Sequence, residues 1–331
     1  LNRHRHLYGM FKKLEKSIYT YKVNMELIAM TNKGILLAEL RSALLERVSL
    51  ESIPEPVWKR AAALNTWGTN AVEGSTITWE DAQRLLLEGK SVPGRPVRDV
   101  METIQHERTF RSLSELRGSP IDLKLILQLH ESVFMGILPD AGQWRRVNVQ
   151  VRGAAFTPPR MERVVPELEA YERDYRNRDI AGEDVFGLGA WMHFEFERIH
   201  PFTDGNGRVG RLLLNLHFLD HNWPPVHVLP RHRKAYLDAL NDAARGNLSP
   251  LEGFLKLLMG ASLVDLLDQV GTSEDRLMDL KEISKSAPYG LKYLALRCQQ
   301  GAMPAVKTGR EWRTSRRVIG LYARHVARQR T

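Results

Sequence analysis

The chain has 331 residues, 43% hydrophobic and 26% charged, which is the make-up of a folded globular protein with room for one large domain or two smaller ones. Its net charge of +9 sits at one end: residues 281–331 hold twelve Lys/Arg against Glu282 and Glu311, a net +10, so residues 1–280 carry a net −1. The single cysteine, Cys298, excludes an internal disulfide. The basic start Leu1–His6 leads into no clean apolar run, and the most apolar later stretches hold Lys256, Asp265 and Asp268, so a cytoplasmic protein without a membrane span is expected.

Residues 7 to about 50 are predicted helical. Leu7, Met10, Phe11, Leu14 and Ile18 recur at helical spacing, as do Leu36, Leu40, Leu44 and Leu45. Such faces are packing surface, with a homo-oligomer interface as the alternative. Pro54-Glu55-Pro56 opens a helix that runs through Trp58 and Leu64. Near its end Thr69 and Glu73 stand four apart on one face, and Gly74 is a helix stop. Taken alone, Glu73 reads as a surface carboxylate before a cap. Thr78, with Asp81 three residues on, caps a helix reaching Glu88, and 90–98 is a loop. Helices are expected over Val97 to Leu116 and Asp122 to Gly136, with His130 in the apolar stripe of the second as a core histidine. Arg146 to Val151 alternates polar and apolar, and 152–155 can turn, so a small β-hairpin is predicted here. Met161 to Tyr175 is an amphipathic helix.

The central stretch is His200-Pro201-Phe202-Thr203-Asp204-Gly205-Asn206-Gly207-Arg208-Val209-Gly210-Arg211. A helix over Val185 to Ile199 leads into it and a Leu-rich one over Arg211 to Leu219 leads out. A Gly-Asn-Gly turn that opens a helix aims backbone N–H groups at one point, at the positive end of the helix dipole, and this suits phosphate. Gly205 and Gly207 permit close approach. Arg208 and Arg211 are three apart and can clamp further phosphate oxygens. Asp204 is placed to hold Mg²⁺ bridging phosphates, and His200 can take a proton near neutral pH. The sequence contains no H-E-x-x-H, no Cys pair and no G-x-x-x-x-G-K-[ST], so neither zinc nor an ordinary P-loop is supported.

The pattern H-x-F-x-D-G-N-G-R-x-x-R, present here at every specified position, resembles the active-site motif of Fic-domain proteins. The resemblance implies transfer of AMP from ATP to a Ser, Thr or Tyr hydroxyl, by in-line attack on the α-phosphate with pyrophosphate leaving. It implies His200 as the base, Phe202 as the buried anchor of the loop, and Asp204 as the Mg²⁺ ligand. Gly205, Asn206 and Gly207 would hold the α- and β-phosphates, Arg208 the β- and Arg211 the γ-phosphate. Beside this motif, Thr69 to Gly74 looks like the family's inhibitory element, with Glu73 pairing with Arg211 and so denying it to the γ-phosphate. Glu73 orienting a water for AMP removal is the alternative. The hairpin would be the family's flap, docking a target protein segment along Asn148 to Phe156. Tyr236, on the helix Arg231 to Ala244, would wall the adenine pocket.

Leu248 to Val270 is the last long helix before a linker at 271–274. Two short helices follow, Asp279 to Ala287 and Leu291 to Gln299, then a two-stranded wing turning near Lys307 to Arg310, then a helix over Arg316 to Arg328. This order resembles the winged helix-turn-helix of excisionase- and MerR-like proteins. That implies DNA contact through Lys292, Arg297, Gln299 and Gln300, with Arg310 and Arg313 on phosphate. The expectation is a mainly α protein: helices over 1–50, a Fic-type bundle with a hairpin flap over 51–270, and a winged helix over 271–331. The expected activity is protein adenylylation, with AMP removal or a nucleotide-sensing DNA-binding regulator as alternatives.

Overall fold

A computed structural model describes residues 36–328. The predicted helical pattern over Leu7 to Ile18 lies outside them. Residues 36–45 are helical (α1), and Leu36, Leu40 and Leu44 are buried as their spacing requires. Helix α2, Glu55–Val72, carries Pro56 in its first turn, where a missing N–H costs nothing, and ends at Glu73 and Gly74 (φ +97°). Helix α3, Trp79–Ala82, starts in a Thr78/Asp81 capping box and widens into a π-turn over Gln83–Leu87. Helices α4, Val97–Ser112, and α5, Leu123–Phe134, follow, the second capped by Asp122, whose side chain accepts from Leu125 N at 2.7 Å.

Helix α6, Val164–Ile180, leads to the central antiparallel pair α7, Val185–Ile199, and α8, Asn206–Asp220. Asp184 caps α7 by accepting from Phe186 N and Gly187 N. Helix α8 is buried on every side, from Asn206 and Val209 through Leu212, Leu213 and Leu216 to Leu219, so it is the axis on which the bundle packs. Helices α9, Arg233–Ala244, and α10, Ser249–Val270, complete the bundle.

The remaining elements are β1, Met278–Asp279; α11, Leu280–Ile283; α12, Leu291–Gln299; β2, Val306–Thr308; β3, Glu311–Thr314; and α13, Arg316–Arg328. The strands form one antiparallel sheet in the order β1-β3-β2, with Lys307 opposite Trp312 and Met278 opposite Thr314. Strands β2 and β3, their turn at Gly309-Arg310 and helices α12 and α13 lie where the sequence puts them, whereas the helix expected over Asp279 to Ala287 is confined to Leu280–Ile283. The third strand, two residues long, carries no readable alternation.

One expectation fails. The hairpin over Arg146 to Ala155 does not form: residues 145–160 contain no strand and run as an irregular loop. Alternation fits a strand, but here side chains satisfy the segment's backbone instead of a second strand. Arg145, 3% exposed, donates to the carbonyls of His200 (2.9 Å), Val147 (2.8 Å) and Pro159 (2.5 Å). Asn241 of α9 accepts from Ala155 N at 2.7 Å and donates to Gly153 O at 3.2 Å. No helix among the described residues is long and apolar enough to cross a membrane.

Candidate active site

The loop from His200 to Gly205 joins α7 to α8, so the two central helices hold both of its ends. His200 caps α7 in the left-handed region (φ 51°, ψ 60°), a conformation unfavourable for a residue with a Cβ. Its Nδ1 lies 3.2 Å from the carbonyl of Glu197. A carbonyl only accepts, so Nδ1 carries the proton and Nε2 keeps its lone pair. Burial lowers the His200 pKa below its ordinary value, with the backbone of Glu197 opposing and Arg145 assisting, so the neutral form prevails at pH 7.

Below the loop, Phe202 is fully buried and stacks on His130 with ring centroids 3.7 Å apart. His130 is the expected core histidine and also a support for the loop. Gly142 N donates to its Nδ1 (2.9 Å), so Nε2 carries the proton and donates to Asp204 O (3.1 Å). The bond from Gly142 N needs the neutral ring, and burial, against the pull of the Asp204 carbonyl, keeps it neutral, with a pKa of about 4. The Asn206 side chain bridges Phe202 N and Phe202 O at 2.9 Å each, so only its backbone remains for a ligand. Gly205 adopts φ +84°, and a Cβ there would stand 2.3 Å from the Phe134 ring. A Cβ on Gly207 would stand 2.3 Å from Glu73 Oε1 and 2.9 Å from an Arg211 nitrogen, so the bare backbone is what lets those side chains meet over the helix start.

The two arginines share a helix end but have different partners. Arg211, 3% exposed, turns toward α2: Nε donates to Thr69 Oγ1 at 2.5 Å and a terminal nitrogen donates to Glu73 Oε1 at 2.6 Å. Thr69 and Glu73 therefore act together, as their spacing on α2 allows, and Gly74 ends the helix right after them. Burial would raise the Glu73 carboxyl, but the Arg211 charge and hydrogen bond, together with the Arg208 charge, outweigh it and hold the pKa below the usual range. Arg208, 4% exposed, turns the other way. It pairs with Glu102 of α4 (2.5 Å) and Asp204 (3.0 Å), with its guanidinium over the Phe134 ring.

Asp204 also pairs with Arg98 of α4 at 2.6 Å. Burial tends to raise its pKa, but Arg208 and Arg98 together leave it lowered, hence ionised at neutral pH. Its side chain is 44% exposed. A single ionised carboxylate with an open side, beside an anion-binding helix start, is a donor set that suits Mg²⁺, which takes one or two carboxylates and fills out its shell with phosphate and water. Arg98 and Glu102 escape a sequence reading. Their i, i+4 spacing marks a helix-surface pair, and nothing local ties it to a loop a hundred residues away.

The cleft above these residues holds about 350 Å³ and is walled by Glu73, Glu197, His200, Arg211, Tyr236 and the loop residues Val151 to Ala154 and Phe156. Tyr236 is buried behind Arg211, with its hydroxyl 2.7 Å from His193 Nε2 and 3.4 Å from Arg211. The structure thus brings His200, Asp204, the Gly205–Gly207 turn, Arg208, Arg211, Thr69, Glu73 and Tyr236 to one place.

Residues 120–218 match the Fic/DOC family. Over 221 residues the chain is 30% identical to the protein adenylyltransferase fic-1 of Caenorhabditis elegans, an alignment that covers 65% of this chain and 43% of that one. It is 27% identical over 201 residues to the protein adenylyltransferase Fic of Nematostella vectensis, covering 60% and 47%. The chain therefore spans under half the length of these curated relatives. A solved structure of Fic-1 from C. elegans matches with a TM-score of 0.63 at 27% identity over 73% of each chain. A Fic family protein from Desulfovibrio desulfuricans G20 shares the fold alone, with a TM-score of 0.61 at 18% identity.

Proposed function

We infer, for a chain that carries a Fic domain, a protein adenylyltransferase that moves AMP from ATP to a hydroxyl side chain and restrains itself through Glu73. One observation carries this reading: Glu73 caps the inward-facing Arg211 at 2.6 Å in the same cleft as a neutral His200. In the reaction, Nε2 of His200 takes the proton of the incoming hydroxyl as oxygen attacks the α-phosphorus and pyrophosphate departs. The N–H groups at the start of α8, with Arg208, hold the phosphates in line, so much of the rate gain is positioning and charge stabilisation. Asp204 would hold Mg²⁺, whose charge offsets that of the phosphates. Arg211 receives the terminal phosphate only when Glu73 lets it go. The target segment lies along 148–156, whose placement at the cleft rim supports that docking site, and Tyr236 stands toward the adenine end. The test is labelled ATP with Mg²⁺. Glu73→Gly should raise AMP incorporation, by roughly tenfold or more if the clamp is worth over 1.4 kcal/mol, and His200→Ala in that background should abolish it. Equal labelling in all variants defeats the reading.

A second reading concerns residues 272–328, as a nucleic-acid module joined to the enzyme. The net +10 of residues 281–331 and the order helix, helix, wing, helix support it. Lys292 and Gln299 on α12 and Arg310 at the wing tip are exposed and suited to contact. Arg313 and Arg297 are less so than the sequence suggests. Arg313 pairs with Asp279 at 3.0 Å, and Arg297 folds over the Tyr293 ring and donates to Gln300 at 2.9 Å. Gel-shift titration should give an affinity for duplex DNA that falls steeply with salt as counterions are released. Absence of a shift at low salt removes the module from this reading.

A further inference from the structure

Glu197 has no part in the reaction as described, yet it lies in the cleft. It sits on α7 three residues before His200, is 7% exposed, and its Oε1 has no hydrogen-bond partner. A buried carboxylate oxygen left unpaired is costly, so its environment calls for explanation. Helix α8 makes room for it: a Cβ on Gly210 would stand 3.0 Å from Glu197 Oε1. Next along α8 is Arg211, the one cation among the described residues whose charge acts on Glu197, while Glu73 acts on it from α2 with the opposite sign. Two carboxylates of one cleft therefore act on one guanidinium. Glu73 has the hydrogen bond, and Glu197 has proximity without one.

We propose that Glu197 is a positioning residue of this site, whose buried carboxyl competes with Glu73 for the charge of Arg211, so that ionised Glu197 loosens the Glu73–Arg211 clamp and protonated Glu197 tightens it. The inference rests on the adenylyltransferase reading and names the regulation of that same site. The surrounding groups leave Glu197 as the proton carrier. They are Glu73 on α2, His193 and His200 on α7, Arg211 on α8 and Tyr236 on α9. Burial holds His193 neutral, with a pKa of about 3, and raises the Tyr236 pKa, so neither ionises near neutrality. Burial pushes Glu197 up to about 7, Arg211 opposing and Glu73 adding to the rise. When Glu73 leaves, its raising influence goes and Arg211 acts without a rival, so the Glu197 pKa falls. Closing the clamp therefore takes up a proton and opening it releases one. The sign follows: acid favours the closed, inhibited state, and raising the pH through the closed-state value of Glu197 favours the open one.

The test divides the AMP-incorporation rate of Glu73→Gly by that of wild type at each pH; Glu73 also raises the His200 pKa, so the same ratio is taken in the paired proteins carrying Glu197→Gln, which share that contribution. From about pH 8 to about pH 6 this ratio should grow roughly two- to fivefold, the part of a coupling of about half to one pKa unit that falls inside this window. In the paired proteins carrying Glu197→Gln the ratio should lose most of this growth and stay near its acid-side level. An equal slope with Gln at 197 overturns the proposal. If Glu73→Gly incorporates no AMP at all, the adenylyltransferase reading fails instead, so the two failures are distinguishable. Should Glu197→Gln not fold, calorimetry of ATP binding near pH 7, in buffers of differing ionisation enthalpy, tests it without that variant. Wild type should release more protons than Glu73→Gly, and equal release overturns the proposal.

Discussion

His200 is suited to act as a base because its ring is buried at a helix end, with Nδ1 tied to the Glu197 carbonyl. Its pKa lies below the ordinary 6.5, so the reactive neutral form persists to lower pH than in a free histidine. In the Glu73→Gly background, where the clamp is gone, the rate should hold level down to mildly acidic pH and fall with a midpoint below 6.5. A midpoint above that value would mean the ring is not desolvated as described. Glu73 has its own sign. Its folded pKa is depressed, so the clamp it makes is fully present above the ordinary carboxyl value of 4.5 and is lost only as pH falls through the lowered one. Acid near neutrality cannot release it by protonating Glu73 itself. At this scale the sequence is legible where one short stretch carries the chemistry, as from His200 to Arg211. It is opaque where a partner comes from afar: Glu102 under Arg208 and Arg98 on Asp204 look like an ordinary helix pair until α4 is laid beside the loop.

Among the elements, periodicity gives α7 and α9 to within two residues, because apolar residues recur at helical spacing through both and Asp184 caps the start of α7. It misjudges 145–160, because alternation reports an extended backbone and says nothing about what pairs with it. There the partners are Arg145 and Asn241, and a single side chain standing in for a strand makes a testable claim. Asn241 spans Gly153 O and Ala155 N from α9, a contact made at the surface. Asn241→Ala should therefore cost about 1 kcal/mol or less of global stability. Amide exchange at Ala155 should nevertheless quicken by roughly fivefold or more, as its acceptor among the described residues goes. Unchanged exchange there would mean the loop is held by its own backbone. If the target binds along this loop, the same variant should raise KM for the target while leaving the binding of ATP alone.

For the molecule as a whole, charge composition marks a boundary near 271 that the apolar core ignores. Leu280, Leu294, Met303 and Val318 belong to one buried cluster with α1 and α10. Pro304 packs on the Gly260 face of α10 beside Leu37. The join also has an electrostatic pin. Asp275 is 1% exposed, accepts from Thr272 N (2.9 Å) and Thr272 Oγ1 (3.0 Å), and pairs with Arg317 of α13. Burial would raise its pKa, but Arg317 and Thr272 bring it below the usual range. Its contribution to stability is thus present above 3.8 and is lost as pH falls through the lowered value. Charge predicts a detachable tail, whereas packing predicts that the tail unfolds with the bundle. Urea denaturation followed by far-UV circular dichroism and by the fluorescence of Trp312, with the other tryptophans replaced, should give coincident transitions. Arg317→Ala leaves a buried carboxylate without its cation and should remove roughly 2–4 kcal/mol near neutral pH. That deficit should shrink as acid protonates Asp275, since a neutral carboxyl no longer needs the guanidinium. Two separate transitions in the parent protein, with Arg317→Ala moving only the Trp312 signal, would establish the tail as an independent unit and leave the pin a local matter.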